Sequence, residues 1–89
     1  MKAIITVTGK DNKGIVAAVS EKCVEYGANI EDISQTIMGG YFVMIILVEL
    51  DELQKPFPTF VTALEKVGEE KGLVIKAMHE DIFNSMHRI

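Results

Sequence analysis

Apolar positions along this chain switch between a period of two and a period near 3.6, and the switches divide it into six elements and a tail. Residues 3–8 are β-branched and apolar, free of Gly and Pro, and predict a strand. Val16, Val19, Cys23 and Tyr26 then recur at helical spacing, with Gly27 placed as a C-cap. Residues 28–38 predict a second strand. Ile33, Gln35 and Ile37 share one face of it, and Asp32, Ser34 and Thr36 the other. Ile30 is out of phase with Ile33, which predicts a bulge near Glu31. Gly39-Gly40 is a two-residue hairpin signal.

Residues 41–50 form the most apolar stretch. Phe42, Met44, Ile46, Val48 and Leu50 fall on one face, and Tyr41, Val43, Ile45 and Leu47 on the other. A strand with one wet face alternates apolar and polar, so this pattern predicts cover on both sides of the sheet. Pro56-Phe57-Pro58 opens a second helix whose stripe is Phe57, Phe60, Val61, Leu64 and Val67, ended by Gly72. Residues 73–78 predict a fourth strand. In the tail, Ile82, Phe83, Met86 and Ile89 share one helical face, which predicts a short helix docked on its own sheet or on a partner.

The order is strand, helix, strand, strand, helix, strand. Right-handed crossovers then put the first and third strands at the centre of a four-stranded antiparallel sheet, with both helices on one face. The expected fold is an α+β, ferredoxin-like βαββαβ sandwich. Residues 1–89 are read as one domain, with a core over 1–78 and a helical extension over 79–89.

With 89 residues the chain is small, and its hydrophobic content of 48% is high for that length. The surplus calls for cover, and a second copy is the simplest source, so a homodimer is expected. The formal net charge is −4, Arg88 is the only arginine and the lysines are scattered, which argues against direct contact with nucleic acid. Cys23 is the sole cysteine and lies on an apolar stripe, so it reads as a core residue in a reducing cytoplasm. The apolar run over 41–48 is too short to span a bilayer, and no secretory pattern opens the chain. A cytoplasmic protein without membrane contact is expected.

The candidate chemistry centres on Gly9-Lys10-Asp11-Asn12-Lys13-Gly14, between the first strand and the first helix. Free backbone N–H groups at the helix N-terminus, around Gly14, Ile15 and Val16, suit a carboxylate or phosphate. The same loop also fits an ordinary turn, with Asp11 or Asn12 making a local cap bond. Elsewhere, His79, Glu80, Asp81 and His87 match no compact metal-ligand spacing, so no metal or cofactor is expected. Glu31 and Asp32 point to opposite faces of a strand, and Ser34 and Thr36 have no histidine nearby in sequence.

Taken together, Gly9-x-Asp11-x-x-Gly14-Ile15-Val16, Tyr26-Gly27-Ala28-Asn29-Ile30, Asp32-Ile33-Ser34-Gln35-Thr36 with its Gly-containing hairpin, and the element order resemble an ACT domain over roughly residues 1–78. The tail is similar to that of small stand-alone ACT proteins, and the segment from Asp32 to Thr36 is similar to the glycine-cleavage repressor type. The resemblance implies a non-enzymatic regulatory module that binds a small ligand, commonly an amino acid, at an interface between two ACT domains. It implies ligand contacts from Asp11 and Asn29, with backbone N–H groups from Gly14, Ile15 and Val16. Gly9 and Asn12 of the loop, and Ile30 beside Asn29, complete the candidate set.

Two positions depart from the family pattern. Gly9 stands where some serine-sensing members carry His, and Lys13 where many carry Pro, which argues against serine as the ligand. Two other readings remain open: an assembly adaptor without a small ligand, serving an unidentified regulated protein, and an acylphosphatase-like hydrolase. The latter resembles a phosphate cradle with an Arg in or near the loop, which has none here.

Overall fold

A computed structural model describes residues 1–10 and 13–86. Asp11 and Asn12 of the loop, and His87, Arg88 and Ile89 of the tail, lie outside the described residues. The elements are β1 (Lys2–Gly9), α1 (Ile15–Tyr26), β2 (Asn29–Met38), β3 (Tyr41–Glu49), α2 (Phe57–Lys71), β4 (Val74–His79) and α3 (Glu80–Met86). They follow the expected order, with boundaries shifted by a residue or so.

The four strands form one antiparallel sheet in the order β2-β3-β1-β4, so β1 and β3 are central, as the crossover rule requires. This is the ferredoxin-like arrangement. Ala3, Ile5 and Val7 of β1 alternate with less buried neighbours and point into the core, beside Phe42, Met44, Ile46 and Val48 of β3. Ile15, Val19 and Cys23 of α1 and Phe60, Leu64 and Val67 of α2 close that core from the helix side. Val16, Tyr26, Phe57 and Val61, expected on these stripes, are half-buried at their margins, and Ile15 takes the lead position on α1 instead. Burial pushes the Cys23 thiol from its ordinary 9.0 up to about 11, which keeps it protonated and inert at neutral pH.

Two sequence signals settle β2. Its register against β3 slips between Ile30 and Asp32, so Glu31 is the bulged residue. Gly39 and Gly40 have φ of 57° and 85°, and both central positions of a primed two-residue turn need positive φ. Met38 and Tyr41 pair across that turn.

The face opposite α1 and α2 is only partly covered. Val43 and Leu47 are half-buried, whereas Tyr41 and Ile45 stay exposed at 53% and 40%. The tail forms the expected helix, and α3 lies against β1 and β4 and touches neither α1 nor α2. Its apolar face is not buried within one chain, however. Phe83 is half-buried, but Ile82 and Met86 remain exposed. Seven residues make under two turns, too short to cover the central strands as well.

Candidate functional site

The glycine loop leaves β1 at Gly9 and reaches α1 at Gly14. Gly14 is the N-cap of α1 and sits in the left-handed region, with φ 70° and ψ 6°, where a Cβ would be strained. Its carbonyl accepts the N–H of Ala18 at 3.0 Å, which starts the helical ladder. Among the described residues no side chain caps the helix and no acid occupies its first turn, so none of them offers a counter-charge to the positive end of the dipole there. Ile15 is in the core and Val16 is half-buried, so the backbone N–H is what these two positions can offer a ligand.

Gly9 has a packing reason of its own. It pairs with Phe42 in the sheet, and the side chain of Leu73 occupies the space that a Cβ at Gly9 would need. Asn29 opens β2 and is exposed, opposite Glu49. Ile30 follows it, half-buried against the core.

The candidates therefore divide between two places. Gly9 is level with Phe42 on β3, and Asn29 is level with Glu49, seven positions further along the same strand. Seven steps along a strand span about 23 Å. Gly14, Ile15 and Val16 lie at the Gly9 end, because α1 runs back along the sheet and returns the chain to Asn29 at its other end. Among the described residues, one copy of the chain does not bring the two ends of the loop, Gly9 and Gly14, to Asn29.

The two ends also differ in charge. At the Asn29 end, the Met1 ammonium donates to Asp51 at 2.7 Å and to Glu49 at 3.1 Å, and Lys2 pairs with Glu31 at 2.9 Å. The hydrogen bond from the ammonium holds the Asp51 carboxyl below its ordinary range, and the one that Lys2 donates to Glu31 holds the Lys2 ammonium above its own. At the loop end, Thr8, Gly9, Lys10, Tyr41, Lys71, Gly72 and Val74 line a cleft of about 370 Å³. A larger groove of about 570 Å³ runs between α1 and α2, beside Lys22, Tyr26, Thr59, Thr62 and Lys66. Neither was foreseen, because each combines residues from elements distant in sequence that only the fold brings together.

His79 serves α3. Its Nδ1 accepts the N–H of Asp81 at 3.2 Å. Among the described residues no group of three or more His, Cys, Asp or Glu is placed to hold a metal. Among the same residues, no helix is long and apolar enough to cross a membrane.

The sheet order, the helix layer and the strand-to-helix turn at Gly14 define a ferredoxin-like α+β protein. The chain belongs to the ACT domain family, whose model matches residues 2–78. It is 47% identical over 89 residues to a UPF0237 protein of Listeria innocua, covering 100% of both chains. Among solved structures, an ACT domain protein from Streptococcus pneumoniae superposes with a TM-score of 0.83 at 46% identity, over 93% of each chain. A candidate glycine cleavage system transcriptional repressor superposes with a TM-score of 0.70 at 26% identity, over 89% of this chain and 47% of that one.

Proposed function

We propose that the protein is a non-enzymatic regulatory module that binds a small amino-acid-like ligand between two copies of the chain. One copy supplies the loop, with Asp11 and the N–H groups of Gly14, Ile15 and Val16. The other supplies Asn29. The observation that carries this reading is the separation of Asn29 from Gly9 and Gly14, at opposite ends of a sheet whose β2 edge is exposed. Residues 34–38 of β2 are all exposed, and Ile37 on the helix side is exposed at 70%. An open edge of this length is a template for another strand. Antiparallel pairing of β2 with β2 of a second copy would set each Asn29 end beside the other's loop, giving two equivalent sites about a two-fold axis. In each site the helix N-terminus favours a carboxylate, and Asp11 would hold an ammonium.

Membership of the ACT family and likeness to a candidate repressor support the regulatory part of this reading. The test is a thermal-shift screen of the purified protein against the amino acids. A ligand at one hundred times its Kd stabilises the native state by about 2.7 kcal/mol. A selective shift that disappears in Asp11→Ala and in Asn29→Ala is expected. A flat screen favours an adaptor that works by assembly alone, a reading supported by the uncovered apolar side chains of Tyr41, Ile45, Ile82 and Met86.

A further inference from the structure

The cleft at the loop end, on the β1–β4 side of the sheet, has a chemistry that the amino-acid reading does not use. Its walls come from the end of β1 (Thr8, Gly9), the residue after it (Lys10), the start of β3 (Tyr41), the end of α2 (Lys71, Gly72) and the start of β4 (Val74). Among the described residues, two ammonium groups line it and no carboxylate does, in a chain where acids outnumber bases by 13 to 9. Neither Lys10 nor Lys71 is in a salt bridge with a described residue, whereas Lys2 and Lys22 are.

Apart from the hydroxyl of Thr8, the rest of the lining is glycine backbone, apolar or aromatic. Tyr41 and Val74 are exposed at 53% and 57%, large for side chains of their type. The Nζ of Lys10 stands 5.9 Å from the centre of the Tyr41 ring, so one cation and one aromatic face are already adjacent. Leu73 occupies the place of a side chain at Gly9, while a Cβ at Gly72 would meet nothing, so the rim on that side is open.

We propose that this cleft binds a small anion carrying an aromatic or other flat apolar body. The anion is taken by Lys10 and Lys71, and the body rests on Tyr41 and Val74. Lys10 and Lys71 are both exposed, and an anion that reaches the two ammonium groups is attracted by each. The volume of about 370 Å³ is within the range of small-ligand sites. The anionic group is a carboxylate or a phosphate monoester; both meet an ammonium in the same way. The cleft lies within one copy of the chain, so this inference does not depend on the two-copy amino-acid site.

The experiment is a titration of the ¹⁵N-labelled full chain, followed by its amide resonances, with phenyl phosphate, benzoate, inorganic phosphate and benzyl alcohol. Saturable shifts of Gly9, Lys10, Gly72 and Val74 are expected with phenyl phosphate, benzoate or both, and whichever binds more tightly identifies the anionic group. Lys10→Met with Lys71→Met keeps the aliphatic stems and removes the charges, and should weaken binding roughly tenfold or more. Lys22→Met, on α1, should leave it unchanged. Three results would overturn the proposal: no saturable shift at the cleft, equal binding by benzyl alcohol or inorganic phosphate, or undiminished binding in the double variant.

Discussion

The N–H of Leu73 donates to the carbonyl of Gly68 at 2.8 Å, and the carbonyl of Leu73 folds back over Gly68 closely enough to exclude a side chain. A Cβ at Gly68 would lie 2.8 Å from that oxygen and 3.3 Å from Cγ1 of Ile75. So α2 and β4 meet backbone to backbone at this turn. Gly68→Ala gains about 1 kcal/mol of helix propensity. The clash is with main chain, which gives way poorly, and overpacking of this kind costs about 1–3 kcal/mol. Net destabilisation is therefore expected in urea unfolding, with the slope against denaturant unchanged. A variant as stable as the parent would show that the turn opens freely.

The split site makes a sharper prediction about mixing. Asp11→Ala retains Asn29, and Asn29→Ala retains the loop. If each site takes its loop from one copy and Asn29 from the other, neither variant binds alone. A mixed dimer of the two has one intact site and one doubly altered site. Random exchange makes half of the dimers mixed, so about a quarter of all sites should recover. The check is calorimetry of an equimolar mixture, after exchange, with whichever amino acid shifts the parent. A mixture that stays silent means that the two residues serve different sites.

Much of this was legible in the sequence because each signal was local. The two-residue turn needed Gly39-Gly40, the bulge followed from the phase slip between Ile30 and Ile33, and two helix ends were marked by Gly27 and Gly72. The separation of Asn29 from the loop was not legible. Fifteen residues divide Gly14 from Asn29, and only the direction of α1 along the sheet turns that interval into opposite ends. Gly68 was not singled out in the sequence, although a glycine inside a helical pattern is costly there and points to a packing reason. The tail showed the limit of periodicity. Ile82 and Met86 have helical spacing and the helix is there, but spacing does not say what covers it.

Ile37 tests the pairing of edges. Its neighbours across the strand pair are core residues, yet it is exposed at 70% because the helix layer does not reach the hairpin end of β2. Within one copy, Ile37→Lys should change stability by no more than about 0.5 kcal/mol, as for other exposed positions. Between two copies it puts a charge on the edge, a device by which natural edge strands resist pairing. If the proposed edge-to-edge dimer forms, the parent sediments as a dimer and the variant as a monomer with unchanged circular dichroism. A variant that remains dimeric would place the contact elsewhere, with the open face of the sheet next in line.

Cys23 links the core to pH. Its thiol is fully buried, and its pKa rises from 9.0 to about 11 because the thiolate is poorly solvated there. The native state holds the proton more tightly than the unfolded state, so this contribution to stability is intact below pH 9 and is lost as pH rises towards 11. The Met1 ammonium and Lys2 are also raised, by their carboxylate partners, and lose their contributions in the same direction. Comparison with Cys23→Ala separates the thiol from them. The variant is less stable at pH 7 through its cavity, by about 1–3 kcal/mol, but its stability should fall less steeply between pH 9 and 11. Alkylation supplies the second measurement. At pH 8 the native thiol should react with iodoacetamide only through opening of the fold, and so far more slowly than in denaturant. Equal rates in the two conditions would mean that α1 swings away from the sheet in the native state, and the core described for it would need to be redrawn.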